Sequence, residues 1–331
     1  MRVALVSSRS FGNVVTIGNN LLHDAGFEVR RIGEEERPLD EARLISIVHR
    51  EGPEVIITGA EPMSEAVLAA SDSLRMIMKH GVGVDNIDLG AATSRGIAVA
   101  NVPGTNTEAV ADLALGLMLS LLRRVCAANA STHSGGWKRY IGHELGAMTV
   151  GIVGTGRIGA AVARRARAFG ARLLGYDVVE SEELKSACGL RYTTLEDLLA
   201  EADVVTLHAP LIPQTEKMIG KEQLERMKPS AILINCARGE LVDETALYEH
   251  LKSDRIAGAA VDVFATEPPQ DSPLLELGNV LATPHIGAYT YEAMEAMDGL
   301  CAETIIDVLL RKETPSNVLN AKALGARDEA A

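Results

Sequence analysis

Residues 149–177 constrain the fold more than any other stretch. Thr149-Val150-Gly151-Ile152-Val153 has strand character, Gly154-Thr155-Gly156-Arg157-Ile158-Gly159 follows at once, and a helix-patterned segment then leads to a second strand, Arg172 to Tyr176. Gly154 permits the tight turn, Gly156 leaves the backbone open to close approach, and Gly159 lets helix and strand pack together. The spacing predicts a helix from Ile158 to Phe169 that keeps Ile158, Val162 and Ala166 on one face and Arg164, Arg165 and Arg167 elsewhere. The second strand ends at Asp177.

Strand, glycine turn, helix and an acid about twenty residues on form the dinucleotide-binding pattern, whose helix-start amides face a pyrophosphate. A carboxylate at Asp177 suits both ribose hydroxyls and repels a 2′-phosphate. Val178 and Val179 follow it where an NADP site wants a base, so the expected cofactor is NAD. A glycine-rich turn in another α/β protein, or a site for a different adenosine ligand, is the alternative reading.

The chain has 331 residues, 47% of them hydrophobic, enough to bury a large core in two domains. A net charge of −13 argues against nucleic acid as a partner and favours anionic ligands held by a local basic pocket. The amino terminus enters a strand pattern (Val3 to Val6) with no charged-then-apolar leader, so a cytoplasmic protein is expected. The longest apolar run, Ala109 to Leu122, contains Asp112 and is too short for a bilayer. It reads as a helix covered on every side, by its own domain or by a second subunit. Cys126, Cys188, Cys236 and Cys301 are scattered without a C-x-x-C pair. That fits reduced thiols and no structural metal.

Before the glycine turn, strand candidates at 3–6, 27–29, 55–58, 76–78 and 98–100 alternate with helical segments, the pattern of a doubly wound parallel sheet. After it come 204–207, 231–235, 257–261 and 280–282, with a helix from Glu244 to Ser253. Ligands of such sheets lie beyond the carboxyl ends of strands. The residues found there are Asp177, His208-Ala209-Pro210, Cys236-Ala237-Arg238-Gly239, Asp262 with Glu267-Pro268, and Thr283-Pro284-His285-Ile286-Gly287. One long helix is expected from Tyr291 to Arg311, returning the chain to the first domain, with a frayed tail after it.

Hydride transfer at an alcohol carbon needs a base for the hydroxyl proton, a cation for a carboxylate or carbonyl, and a group that tunes the base. His285, Arg238 and Glu267 supply these types. Histidine titrates near neutrality, a carboxylate on its other nitrogen fixes the tautomer, and arginine grips a carboxylate in two parallel hydrogen bonds. Singly, each also suits an ordinary strand-exit turn or solvated loop.

The glycine turn, Asn235-Cys236-Ala237-Arg238-Gly239, Asp262-Val263-Phe264 with Glu267-Pro268, Thr283-Pro284-His285-Ile286-Gly287 and the early Gly81-Val82-Gly83-Val84-Asp85-Asn86-Ile87-Asp88 together resemble the D-isomer-specific 2-hydroxyacid dehydrogenases, most of all their phosphoglycerate dehydrogenase branch. The resemblance spans nearly the whole chain. It implies two doubly wound, Rossmann-like parallel-sheet domains: a discontinuous substrate-binding domain of residues 1–100 and 288–331, with an NAD-binding domain of residues 101–287 inserted and catalysis in the cleft between. It implies substrate binding by Lys79, His80, Gly81, Val82, Gly83, Arg238 and His285. Arg157 and Ile158 would meet the pyrophosphate by backbone, and His208, Ala209 and Pro210 would flank the adenosine side. Val102, Cys236, Asp262, Gly287 and Ala288 would surround the nicotinamide, Thr155, Thr215, Ala237 and Arg238 would also bind the cofactor, and His285 would touch both cofactor and substrate.

Family members usually dimerise through the cofactor domain, so a homodimer is expected, with Trp137 at the interface or in the core. Where the branch carries arginine and a small residue, Lys79 and His80 stand, and they are expected to form a basic loop of altered shape beside the bound acid. Arg9, just past the first strand, can hold a phosphate or be an ordinary loop arginine. Asp112 stands where relatives carry glutamate. Feedback by an end-product amino acid through a regulatory domain, as in longer phosphoglycerate dehydrogenases, is not expected.

The expectation is therefore an NAD-dependent oxidoreductase acting on an anionic D-2-hydroxy or 2-keto acid, first D-3-phosphoglycerate, with no membrane partner. Glyoxylate or hydroxypyruvate reduction, a phosphono or sulfo analogue, and a binding protein resembling an NAD-sensing corepressor are the alternatives. Formate oxidation fits less well, because that branch carries Gln-Pro where Glu267-Pro268 stands.

Overall fold

Among the described residues, short strands form two parallel sheets, and all but the edge strands are largely buried. The structure is a computed structural model and describes residues 2–323. The frayed tail expected after the last helix falls in part on residues 324–331, outside the described residues.

The first unit runs to Asn106 and resumes at Tyr289. Its strands are β1 (Arg2–Val6), β2 (Phe27–Arg31), β3 (Val55–Thr58), β4 (Met76–Lys79) and β5 (Ala98–Ala100), in the order β2-β1-β3-β4-β5 with every pairing parallel. β3, β4 and β5 are fully buried (Val-Ile-Ile-Thr, Met-Ile-Met-Lys, Ala-Val-Ala) because helices cover both faces of a parallel sheet. The carboxy-terminal segment joins this unit: Asn320 Oδ1 accepts from Val99 N at 2.7 Å, and Asn317 Nδ2 donates to Asn101 O at 2.8 Å.

The second unit, Thr107–Ala288, holds β6 (Thr149–Val153), β7 (Arg172–Tyr176), β8 (Arg191–Tyr192), β9 (Val204–Leu207), β10 (Ile232–Asn235), β11 (Gly258–Val261) and β12 (Val280–Ala282). They run β12-β11-β10-β9-β6-β7-β8, all parallel. This is the doubly wound dinucleotide-binding order extended by one strand, with its reversal between β6 and β9. The helix Thr107–Leu122 packs its Val110, Ala114, Leu117 and Met118 into the core, against β10, β11 and the helix Arg157–Ala168.

The structure differs from the expected elements in places. The helix after the glycine turn spans Arg157–Ala168, one residue earlier at each end. The C-terminal helix is regular only over Tyr291–Ile306 and continues as a π-helical turn, Asp307–Arg311. The helix over the apolar run leaves Asp112 and Gly116 exposed within its own unit. The two-residue strand β8 carried no alternating pattern.

Candidate active site

In the second unit the sheet reverses where β6 and β9 end, and there Gly154 and His208 abut. Gly154 has φ +87°, and a Cβ on it would lie 2.6 Å from Ala209 N. A Cβ on Gly159 would lie 2.0 Å from Gly154 O, so helix and strand touch backbone to backbone. Gly156 differs: a Cβ there meets nothing within 4 Å, and it starts the helix Arg157–Ala168 with no side-chain cap. First-turn amides without partners, beside open space, suit an anionic phosphate.

Asp177 follows β7. Its Oδ2 accepts from Thr155 N at 2.6 Å and Thr155 Oγ1 at 3.1 Å, and its Oδ1 accepts from Val179 N at 3.2 Å. Tyr192 of β8, which the sequence did not single out, places its hydroxyl 2.9 Å from Thr155 Oγ1 and accepts from Ser181 N at 2.9 Å. Val178 and Val179 lie exposed beside the acid. His208 puts Nε2 2.9 Å from Thr206 Oγ1, while its buried Nδ1 has no protein partner. Burial lowers its pKa to about 4, so the ring is neutral. Thr215 ties the following loop, donating to Pro210 O at 2.6 Å and accepting from Ile212 N at 3.0 Å. Open amides, a ribose-height carboxylate and an orphaned buried nitrogen fit a dinucleotide.

Arg238, Glu267 and His285 lie past β10, β11 and β12. Asn235 clamps the first turn, Nδ2 donating to Arg238 O at 2.8 Å and Oδ1 accepting from Ala237 N at 3.1 Å. Arg238 Nη1 donates to Ala237 O at 2.7 Å. A Cβ on Gly239 would meet Phe264 C at 2.0 Å, so the Arg238 turn presses on the segment leading to Glu267. Glu267 Oε1 accepts from Phe264 N at 3.1 Å, and Oε2 lies 2.8 Å from His285 Nδ1. Burial alone would raise the Glu267 carboxyl, but the His285 hydrogen bond and charge outweigh it and hold the acid below its ordinary range.

His285 has φ +53°, a conformation costly for a side chain with a Cβ. Asp262 holds it: its backbone oxygen accepts from His285 N at 2.9 Å, and its carboxylate accepts from Thr283 Oγ1, Ile286 N and Gly287 N. Burial raises the Asp262 carboxyl, against the pull of those donors. Asp262 is thus the support of the His285 turn, a role its residue type did not disclose. The Cys236 thiol is buried, and burial raises its pKa, so it stays protonated.

The remaining site residues sit in the first unit. Val102, buried past β5, donates its N–H to Gly81 O at 3.1 Å, and Asn101 Nδ2 donates to Val82 O at 2.6 Å. Lys79 and His80 do not form an exposed basic loop. Lys79 ends β4, buried, with Nζ donating to Gly59 O and to Asn86 Oδ1 at 2.6 Å. The His80 ring is wholly buried between Ser10 Oγ and Asp298 Oδ1. Arg9 is exposed, its guanidinium 3.8 Å from Glu34. Among the described residues no group of three His, Cys, Asp or Glu is placed to hold a metal, and no helix is long and apolar enough to cross a membrane.

Fold and glycine turn together define a dinucleotide-binding α/β protein. Residues 115–287 match the model of the D-isomer specific 2-hydroxyacid dehydrogenase NAD binding domain. The D-3-phosphoglycerate dehydrogenase of Methanocaldococcus jannaschii is 42% identical over 305 residues, 90% of this chain but 58% of that protein. The glyoxylate reductase of Korarchaeum cryptofilum is 45% identical over 274 residues, covering 81% of this chain and 82% of its own. Among solved structures, D-lactate dehydrogenase from Aquifex aeolicus, complexed with NAD and lactic acid, superposes with a TM-score of 0.84 at 29% identity, covering 96% of this chain and 99% of that one. The chain belongs to the D-isomer-specific 2-hydroxyacid dehydrogenases, NAD-dependent oxidoreductases, and residues 115–287 are their NAD-binding domain.

Proposed function

We propose that this protein transfers a hydride reversibly between NAD(H) and an anionic D-2-hydroxy or 2-keto acid, with D-3-phosphoglycerate and 3-phosphohydroxypyruvate the first pair to try. The observation that carries the reading is the 2.8 Å contact between Glu267 Oε2 and His285 Nδ1. A carboxylate there holds the proton on Nδ1 and leaves Nε2 to take the hydroxyl proton in oxidation and return it in reduction. Glu267 also stabilises the imidazolium so formed. Arg238 binds the carboxylate and polarises the carbonyl.

NAD, when bound, supplies the hydride acceptor. The open amides at the Arg157–Ala168 helix start would hold its pyrophosphate, Asp177 the ribose, and the segment 208–215 the adenosine side. Cys236, Asp262, Gly287 and Ala288 would lie beside the nicotinamide. We assign acid binding to the first unit, through Lys79 and the Gly81-Val82-Gly83 turn.

A second reading, reduction of glyoxylate or hydroxypyruvate, is favoured by the cations past the first unit's strands. Lys79 is bound to Gly59 O and Asn86, and Arg37 to Glu61 at 3.2 Å, so a distal phosphate would have to compete for them. Exposed Trp137 and Ile141, with the uncovered face of the Thr107–Leu122 helix, support a homodimer through the second unit. Four free cysteines are consistent with a cytoplasmic setting.

The test is NADH oxidation by the purified chain with 3-phosphohydroxypyruvate, hydroxypyruvate, glyoxylate, pyruvate and phosphono analogues. Preference for the phosphorylated acid supports the first reading, and preference for a small acid the second. Tight NADH binding without turnover of any would overturn both in favour of a sensor.

A further inference from the structure

The strand order of the first unit reverses between β1 and β3. In doubly wound sheets, ligands bind at the carboxyl ends of the strands flanking such a reversal. Two turns leave the strand ends on this side, one from β1 at the reversal and one from β4, the strand beyond β3. Ser8 to Gly12 leaves β1, and Gly81 to Gly83 leaves β4 one residue after His80.

His80 ties the first of these turns to a helix distant in sequence. Its Nδ1 is 2.9 Å from Ser10 Oγ and 3.4 Å from Ser8 Oγ, so both neighbours of Arg9 meet the ring. Its Nε2 is 2.8 Å from Asp298 Oδ1, on the helix Tyr291–Ile306. Asp298 Oδ2 accepts from Gly12 N at 2.8 Å. The Phe11 ring, fully buried, stands edge-on to the imidazole at 5.6 Å and 85°. Arg31 closes the cluster by donating to the backbone oxygens of Ser8 and Phe11.

Both side chains of the pair are 0% exposed. The Asp298 carboxylate has no solvent contact and meets one amide, Gly12 N, and one imidazole, His80. Deleting either partner strands a buried carboxylate, and the least costly relief is for the loop to move and admit water. His80 has no surface from which to touch an acid.

We propose that His80, held by Asp298, is a positioning residue for acid binding: it fixes the Ser8–Gly12 loop beside the Gly81–Gly83 turn. The inference rests on the reading that the Gly81–Gly83 turn receives the acid. It makes the shape of the acid site depend on a contact set 70 residues away in one direction and 218 in the other.

The experiment compares wild type with Ser10→Ala, which removes the shorter of the two serine contacts to His80 and keeps the buried pair, and with His80→Ala. Loss of one hydrogen bond should raise KM for the preferred 2-keto acid about three- to tenfold in Ser10→Ala. His80→Ala should raise it more, with KM for NADH and kcat within about twofold in both. An unmoved acid KM in Ser10→Ala, or kcat and NADH affinity falling in step with it, overturns the proposal, and Ser10→Ala decides alone should His80→Ala not fold. Amide exchange over residues 8–12 supplies a readout independent of turnover and must accelerate in Ser10→Ala. If wild type turns over no acid while that exchange does accelerate, the proposed function fails and the loop clamp stands. Unchanged exchange removes the clamp itself.

Discussion

Glu267 Oε2 and His285 Nδ1 lie 2.8 Å apart, on loops that leave two adjacent parallel strands, β11 and β12. The pair is only partly covered, with 46% of the His285 side chain and 30% of Glu267 exposed, so Nε2 can reach a ligand while Nδ1 is committed. The contact survives only because Asp262 pins the His285 turn from behind with one backbone and three side-chain acceptor contacts.

Replacing His285 by Ala should therefore lower kcat about 100- to 10,000-fold while leaving NADH affinity within a few-fold, because the proposed proton transfer goes and the glycine turn is untouched. Glu267→Gln keeps the shape but loses the charge. It should cost about 10- to 100-fold. Steady-state kinetics with NADH fluorescence titration separates the two quantities, and a His285→Ala enzyme that turns over normally would remove the base assignment.

Asp177→Ala should weaken NAD about 10- to 100-fold, the range for a lost hydrogen bond to a charged group, and weaken NADP far less. The same carboxylate accepts from Thr155 N and Val179 N, so a drop in Tm should accompany it. An unchanged NAD-to-NADP preference would mean that the ribose is read elsewhere.

Much of this was legible in the sequence. The strands whose buried faces demand unbroken apolar runs fall within two residues of their expected bounds, since runs such as Val-Ile-Ile-Thr and Ile-Leu-Ile-Asn have no other stable home. The glycine turn and the residues past each strand end were equally plain. What stayed hidden depends on contacts between distant segments. Nothing in the spacing of Ser10, His80 and Asp298 marks them as partners, and so His80 read as part of a basic loop beside the bound acid. Asp262 read as a cofactor contact because its acceptor role is set by the turn at 283–287, twenty residues on. Tyr192 escaped because β8 has two residues, too few to show a period.

Gly156 and Gly159 are three residues apart and should fail differently. A Cβ at 156 meets nothing within 4 Å, whereas one at 159 would sit 2.0 Å from Gly154 O. Gly156→Ala should keep its Tm within a few degrees and lose NADH affinity, because the added methyl occupies the space the pyrophosphate needs. Gly159→Ala must push helix from strand and should destabilise by about 1–3 kcal/mol, the usual cost of overpacking. Thermal unfolding without cofactor, followed by NADH titration, tests both, and equal loss of stability in the two would contradict the geometry.

His208 sets an acid limit on the fold. Burial lowers its pKa from 6.5 to about 4, so between those values the unfolded chain binds a proton that the folded chain refuses. Stability is then fully present above pH 6.5 and falls as pH drops toward 4, by at most about 1.4 kcal/mol per pH unit. Glu267 adds to the loss lower down: its folded pKa lies below 4.5, so its contribution is present above that value and disappears as pH falls through the folded pKa. His208→Gln keeps a polar side chain without the titration. Chemical denaturation from pH 7 to 4 should show a steep decline for wild type and a shallower one for the variant above pH 4.5, where Glu267 is still ionised in both states. Parallel slopes in that window would show that His208 is solvated and that another group drives the acid transition.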